Sequence, residues 1–144
     1  MDGRVTHQQI EFRVTIPSDP KNISKVETFL KKMNKAIHLD EIQFHKLMVS
    51  LTEAVNNAII HGNKSDAQKK VVLKCEHLPG WLLLIVEDQG KGFKVDHVAN
   101  PLKKKNLLKE SGRGIFLMRT LMDKVEFQMS TSGLQVRLWL ALNK

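Results

Sequence analysis

The stretch TEAVNNAIIHGN, residues 52–63, is the part of the chain from which the fold can be worked out. It ends a segment with helical periodicity, yet it carries Glu53, Asn56 and Asn57 where helices more often carry Ala, Lys or Leu. Asparagine is a mediocre helix former because its amide competes for backbone hydrogen bonds. Two adjacent asparagines after a glutamate therefore indicate a role other than holding the helix together.

The helical wheel separates the two asparagines. At about 100° per residue, Glu53 and Asn57 lie roughly 40° apart on one face, while the preceding asparagine is turned away. This face is nearly opposite the stripe that contains Leu51 and Val55, so a solvated surface is one interpretation. Ile60 shares the face, which suits a pocket wall instead. An amide oxygen is a ligand that Mg²⁺ accepts, and a carboxylate one turn away can deprotonate a hydroxyl.

Upstream of this stretch, the pattern predicts one strand and two helices. Apolar and polar residues alternate over residues 10–16, which predicts a half-buried strand. Asp19 and Pro20 then suit the N-cap and first position of a helix of about four turns. A second helix opens at Asp40 and is expected to end at Gly62, a natural C-terminal cap.

Downstream, the chain consists of hairpins and one further helix. Two apolar strands flank Pro79–Gly80, a hairpin signal. Residues 96–111 are polar and lysine-rich, which predicts a long functional loop, and residues 114–124 resemble a short buried helix. A last hairpin turns around Ser132–Gly133. The order predicts an α+β fold, a two-layer α/β sandwich whose mostly antiparallel mixed sheet carries helices on one face.

Length and composition limit the classes of protein to which the chain can belong. The 144 residues, 42% hydrophobic and 26% charged, suit one soluble globular domain. No apolar run reaches the ~18 residues of a membrane span, and no signal peptide is visible at the N-terminus. Cys75 is the only cysteine, which excludes an internal disulfide and suits a reducing cytosol. We therefore expect a cytoplasmic protein that does not enter a membrane.

The net charge of +8 favours anionic partners. Single-stranded nucleic acid would favour aromatic residues among the basic clusters. The chain has no tyrosine, and no aromatic residue lies between Phe93 and Phe116. Nucleotide phosphate or an acidic protein fits the charge equally well, and we expect no direct binding of nucleic acid.

A second motif is VEDQGKGF, residues 86–93. A strand that ends in Asp88 followed by Gly90 and Gly92 makes a turn where the backbone approaches a ligand closely. A buried carboxylate there can accept a hydrogen bond from an exocyclic amine such as adenine N6. A simple turn is the alternative, because aspartate and glycine are common turn residues.

The third motif is ESGRGIFLM, residues 110–118. Ser111, Gly112 and Gly114 stand just before a predicted helix, where exposed backbone N–H groups suit a phosphate. The alternative is a serine N-cap with glycines in a bend. The preceding lysine-rich loop adds weight for an anion.

In this order and spacing the three motifs resemble the Bergerat-fold ATPases of the GHKL superfamily, and in particular the small bacterial anti-sigma-factor serine kinases. The likeness extends from about Phe12 to Leu142. It implies binding of ATP and Mg²⁺, a homodimer, a sigma factor or equivalent client, and phosphorylation of a STAS-type anti-anti-sigma antagonist. The alternative is a non-catalytic ATP-binding module whose nucleotide state sets its affinity for partners.

The resemblance also implies residue roles. Glu53 would be the base that activates a serine hydroxyl, Asn57 would coordinate Mg²⁺, and Asp88 would bind the adenine amino group. Residues 95–111 would form the ATP lid. Further contacts with the nucleotide are implied for Gly90, Gly92, Lys109, Ser111, Gly112, Arg113 and Gly114.

Two positions depart from the family pattern. Glu110 stands where several members carry a basic residue that faces the γ-phosphate, and phosphoryl transfer depends on stabilising that charge. Lys109 or Arg113 is expected to replace it. Leu134 and Gln135 stand where threonines often approach the adenine, so a second contact with the base is not expected from those side chains.

Overall fold

The computed structural model describes residues 10–90 and 113–142. Within these residues the chain forms five strands and three helices, together with a short 3₁₀ turn before the first helix. The elements are β1 (Ile10–Pro17), α1 (Ser24–Ile37), α2 (Glu41–Asn57), β2 (Lys70–Leu78), β3 (Trp81–Glu87), α3 (residues 113–121), β4 (Lys124–Ser130) and β5 (Gly133–Ala141).

The strands form one sheet in the order β1-β2-β3-β5-β4. Each described neighbouring pair is antiparallel. The α+β prediction is therefore confirmed, whereas the expectation of a mixed sheet is wrong for the described strands. β3 and β4 run in the same direction on either side of α3, but β5 lies between them, so these two strands do not form a parallel pair.

The core lies between the sheet and the helices. α2 packs against β3 and β5, while α1 packs against β1 and α2. Leu30 and Leu51 of the helices and Leu73 and Leu84 of the sheet are all fully buried. Burial of each such side chain contributes about 1.5–3 kcal/mol to folding. The apolar periodicity of the helices thus places them on one face of the sheet, as predicted.

The central strand β3 is buried on both faces. Leu83 and Ile85 lie on the face away from the helices, yet they are only 2% and 4% exposed. In the sheet register, Leu83 lies opposite Trp139, and Ile85 lies opposite Lys74 and Arg137. Long side chains can cover apolar neighbours with their stems while their polar ends reach water. This explains why β3 is apolar almost throughout.

Cys75 is part of the core. Its thiol lies 3.1 Å from the Met33 sulfur. Burial, and secondarily the charge of Glu76, raises the pKa of this thiol to about 12. A thiolate is the reactive form of cysteine, so the folded chain keeps its single thiol unreactive near neutral pH.

Two aspartates begin helical segments, as the sequence predicts. The Asp40 carboxylate accepts a hydrogen bond from the Gln43 backbone N–H at 2.7 Å and caps α2. Asp19 caps the 3₁₀ turn Pro20–Ile23, so α1 itself begins only at Ser24. In both cases the side-chain oxygen satisfies a backbone donor that the helix leaves unpaired.

The end of the second helix differs from the expected one. α2 continues into a π turn, Ala58–Gly62, closed by a 2.8 Å hydrogen bond from Asn63 N–H to the Ala58 carbonyl. Gly62 is therefore the last residue of this wider turn and not a C-terminal cap. π turns are rare and occur frequently at functional sites.

The third helix also differs from its prediction. It covers residues 113–121 and does not reach residue 124. Met118 and Met122 are buried, but Phe116 is 67% exposed, so the helix is buried on one side only. Within the described parts of the chain, no helix has the length and apolar character needed to cross a membrane.

Candidate functional site

The first and third motifs meet at the start of α3. A Cβ added to Gly114 would lie 2.8 Å from Glu53 Oε2 and 3.5 Å from Asn57 Nδ2. Gly114 is buried, whereas Glu53 and Asn57 are half-buried on α2. The absence of a side chain at residue 114 thus lets the start of α3 approach the carboxylate and the amide closely.

The Glu53 carboxylate faces the start of α3. Within residues 10–90 and 113–142 its carboxylate takes part in no hydrogen bond or ion pair. Its partner in the predicted site, Asn57, lies one helical turn further on and close to the same glycine. A carboxylate and an amide are thereby presented together at the start of α3, a geometry that suits proton transfer beside a bound phosphate.

Asp88 forms the second part of the site. The residue is 8% exposed, and its Oδ1 accepts hydrogen bonds from the backbone N–H groups of Gly90 and Leu134, both at 3.0 Å. No described residue donates to Oδ2. One oxygen thus holds the turn, and the other remains an acceptor for an N–H donor such as an amino group of a base.

Close packing at three glycines brings separate backbone segments together around Asp88. A Cβ on Gly62 would lie 2.1 Å from Asp88 Oδ2, and one on Gly133 would lie 2.0 Å from the Asp88 carbonyl oxygen. A Cβ on Gly90 would lie 2.1 Å from the Gly62 carbonyl oxygen. Real Cβ atoms do not approach oxygen so closely, so these positions require glycine because the backbone segments touch. The space at Gly90 is filled by the Gly62 carbonyl and is not left for a base.

Several contacts of this site were not predicted from the sequence. The sequence predicts a cap at Gly62 and a turn at Gly133, and it predicts that the Leu134 side chain makes no contact with the base. Leu134 contributes through its backbone, because its N–H donates to Asp88 Oδ1 and its carbonyl accepts from Asp88 N–H at 3.0 Å. Asn63, fully buried beside Gly62, was also missed. The sequence feature that could have indicated Asn63 is its position directly after Gly62, where the helical segment ends.

The remaining predicted positions are only partly described. Arg113 is exposed at the start of α3. Four predicted ligands and the lid, residues 95–111, lie outside the described residues. Those four ligands are Gly92, Lys109, Ser111 and Gly112.

The donor set fits Mg²⁺ bound together with phosphate. Among the described residues there is no cluster of three or more His, Cys, Asp or Glu that would hold a cation by itself. Mg²⁺ usually retains waters and is bound through one or two protein oxygens together with substrate phosphates. The Asn57 amide, which lies close to Gly114 at the start of α3, suits that mode.

The fold and this arrangement define a class of protein. The family model of the histidine kinase-like ATPase domain matches residues 16–140, so the chain belongs to this family. The anti-sigma F factor of Oceanobacillus iheyensis is 33% identical over 103 residues, covering 70% of this chain and 68% of that protein. The serine-protein kinase RsbW of Bacillus velezensis is 29% identical over 134 residues, covering 89% and 83%. The resemblance to anti-sigma-factor kinases is thereby confirmed.

Solved structures agree in fold. The RsbU and RsbW domains of Rv1364c from Mycobacterium tuberculosis match with a TM-score of 0.70 and 16% identity. That match covers 94% of this chain and 33% of the other. The histidine kinase domain of a blue-light activated kinase from Erythrobacter litoralis matches with a TM-score of 0.57 and 17% identity, covering 88% and 62%.

Proposed function

We propose that this chain is an ATP-dependent protein serine kinase that acts as an anti-sigma factor in a partner-switching module. The observation that carries the proposal is the contact of Gly114 with Glu53 and Asn57. The Glu53 carboxylate, which has no hydrogen-bond or ion-pair partner among the described residues, lies beside the helix start where the resemblance implies the γ-phosphate, and this supports the proposal. The names of the relatives, serine-protein kinase and anti-sigma F factor, support the same activity.

The proposed reaction assigns each group one task. Asp88 Oδ2 accepts a hydrogen bond from the adenine amino group, and Asn57 would hold Mg²⁺, which would supply positive charge beside the phosphates. Glu53 accepts the proton of a serine hydroxyl on the substrate protein. The serine oxygen then bonds to the γ-phosphorus, the bond from that phosphorus to the β–γ bridging oxygen breaks, and ADP leaves. Electrostatic stabilisation and positioning supply most of the rate enhancement in such transfers.

The proposed partners follow from the family. In one state the chain, as a cytoplasmic homodimer, binds a sigma factor or an equivalent client. In the other it phosphorylates a STAS-type anti-anti-sigma antagonist. The basic character of the chain, with 23 Lys and Arg against 15 Asp and Glu, suits nucleotide phosphate and acidic protein surfaces.

One observation favours a second candidate, an ATP-binding module that does not transfer phosphate. Glu110 occupies a lid position where a basic residue is expected. A carboxylate near the γ-phosphate would oppose the charge that develops during transfer. In this alternative, nucleotide binding alone would set the affinity for partners.

A phosphorylation assay with γ-labelled ATP separates the two candidates. The wild-type chain is incubated with candidate antagonist proteins, and ATP binding is measured by calorimetry in the same preparation. Transfer of label to a serine supports the kinase. Tight ATP binding without transfer to any candidate would support the non-catalytic module.

A matched pair of variants assigns the base. Glu53→Gln removes the carboxylate at the site, and we expect phosphoryl transfer to fall by roughly a hundred-fold or more while ATP binding is retained. Glu41→Gln is the control, because Glu41 is exposed in the first turn of the same helix. Equal transfer by the two variants would contradict the role of Glu53.

A further inference from the structure

Asn63 is a fully buried polar residue whose side chain joins three segments of the chain. Its amide nitrogen donates to Ser18 Oγ at 2.5 Å and to the Lys70 carbonyl at 2.9 Å. Its amide oxygen accepts from the Gln89 backbone N–H at 2.7 Å. Both N–H donors of the amide are thus used at the ends of β1 and β2, and its oxygen is used just after β3.

The orientation of this amide is fixed by its neighbours. Rotating the group by 180° would place its oxygen against the Lys70 carbonyl and its NH₂ against the Gln89 N–H. The first contact would then set two acceptors against each other, and the second would set two donors against each other. Both would leave buried polar groups without hydrogen bonds, which lowers the free energy of unfolding. The amide therefore holds the Gln89 N–H at one defined place.

Gln89 lies between the two residues that form the base-binding turn. Its backbone is held by Asn63, and its side-chain oxygen accepts from the Lys70 N–H at 2.7 Å. On either side of it, Asp88 and Gly90 form the hydrogen bond that shapes the turn. The turn that carries the Asp88 carboxylate is thus held on one side by the contacts of Gln89 and on the other by the bonds between Asp88 and Leu134 of β5.

Asn63 is also joined to the helix that carries the proposed catalytic residues. Its backbone N–H closes the π turn by donating to the Ala58 carbonyl, and Ala58 directly follows Asn57. One residue therefore connects the two halves of the site, the carboxylate and amide of α2 and the turn at Asp88.

We propose that Asn63 is a positioning residue for recognition of the purine base. This inference rests on the proposed nucleotide site. By holding Gln89, Asn63 sets Asp88 Oδ2 at a fixed place relative to α2, so that an adenine amino group and the phosphates of one nucleotide are bound together. Guanine presents a carbonyl where adenine has its amino group, and a fixed carboxylate oxygen repels it. Asn63 is thus expected to control the preference for ATP over GTP without touching either.

Asn63→Ala tests the proposal through base selectivity. The binding of ATP, GTP and inorganic tripolyphosphate to the 144-residue chain is measured by calorimetry. We expect ATP to bind about ten-fold more weakly, the ratio of ATP to GTP affinity to fall, and tripolyphosphate to bind as to the wild type. A purely structural role would lower all three affinities together.

Two further variants keep the test decisive. Asn34→Ala removes a comparable bond, because Asn34 Oδ1 accepts from the Leu39 backbone N–H at 2.7 Å at the other end of the molecule. We expect this control to lose stability but keep its nucleotide selectivity. Asn63→Asp retains an acceptor for Gln89 while placing an oxygen against the Lys70 carbonyl, so it should be less stable yet recover selectivity for ATP.

The outcomes separate this inference from the proposed function. If the wild type binds ATP selectively and Asn63→Ala keeps that selectivity, the role of Asn63 is overturned and the nucleotide site stands. The role of Asn63 is likewise overturned if Asn34→Ala loses selectivity to the same extent. If the wild type binds no ATP, the proposed function is overturned and the role of Asn63 with it.

Discussion

The two ends of the sheet both depend on glycine, for different physical reasons. At the hairpin between β2 and β3, Gly80 has φ +76°, and its missing Cβ would have no atom within 4 Å other than those of Gly80 and its two chain neighbours. This end borders a cavity of about 210 Å³. At the other end, Gly62 and Gly114 leave a side chain no free space, since Asp88 and Glu53 lie within 2.1 and 2.8 Å of their missing Cβ atoms. Glycine is required at residue 80 by the positive φ of the backbone. At residues 62 and 114 it is required because Asp88 and Glu53 lie where a side chain would be.

This difference matters for interpreting glycines in a sequence. A turn glycine can be recognised from its immediate neighbours, because the need for a positive φ is local. A glycine required by close approach depends on residues distant in the chain. Substitutions at the two ends should therefore separate backbone strain from damage to the site.

The largest effect is expected from Gly62→Ala. Its Cβ would collide with the Asp88 carboxylate, whose Oδ1 is held by two hydrogen bonds and cannot easily move. We expect ATP binding to weaken roughly a hundred-fold, with about 1–3 kcal/mol lost from the free energy of unfolding through overpacking. Calorimetry and urea denaturation measure the two quantities.

Gly80→Ala is the matched control at the other end. Its strained φ should cost about 1 kcal/mol of unfolding free energy and leave ATP affinity unchanged. If it weakened ATP binding as much as Gly62→Ala does, the distinction between the two ends would fail.

A smaller and more selective effect is expected from Gly114→Ala. The colliding atom is the end of a flexible side chain, Glu53 Oε2, so the fold can adjust by moving that carboxylate. Displacing a catalytic group slightly lowers its rate without removing the substrate, and we expect phosphoryl transfer to fall roughly ten- to a hundred-fold. ATP affinity should change little, which single-turnover kinetics and calorimetry would distinguish.

Ser50→Ala tests whether stability and function can be separated within α2. Ser50 is fully buried, and its hydroxyl has no hydrogen-bond partner among the described residues. Alanine removes this unsatisfied group and favours the helix, so the free energy of unfolding should rise by about 0.5–1 kcal/mol. Denaturation measures the gain, and an accompanying change in ATP affinity would show that the site is not independent of the helix interior.

The smallest effect is expected on the outer face of the sheet, at a hydrogen bond between β4 and β5. The Trp139 indole N–H donates to Glu126 Oε1 at 2.7 Å, and this bond, aided by Lys124, lowers the pKa of the Glu126 carboxyl. Because the folded-state pKa is lowered, the stabilisation is present at higher pH and is lost as the pH falls through that value. In an NMR titration, Trp139→Phe should raise the pKa of Glu126. An unchanged titration curve would show that the indole has no such effect.

The sequence predicted the elements whose signals are local. Asp40 caps α2 because a cap involves residues only three positions apart, and the Pro79–Gly80 turn is equally local. Alternation of apolar residues was enough to identify β1. The layered α+β arrangement followed from this order of helices and hairpins.

The contacts that were missed join residues far apart in the chain. Gly62 was assigned to a cap because nothing near it in sequence indicates Asp88, 26 positions away. Asn63 was missed for the same reason, since its bonds reach Ser18, Lys70 and Gln89. The exposure of Phe116 was missed because its helix packs on one side only. Periodicity over so short a segment does not reveal which side is covered.

The π turn after Asn57 has a consequence for insertions and deletions. A turn closed by an i→i+5 bond contains one residue more than a regular helical turn, so residues 58–62 accommodate what amounts to a one-residue insertion. Deleting Ile60, which is 39% exposed, would let the helix continue regularly. It would also turn Asn63 by about 100° away from Gln89. The number of residues between Asn57 and Asn63 is therefore constrained, even at positions such as Ile60 where the side chain is exposed.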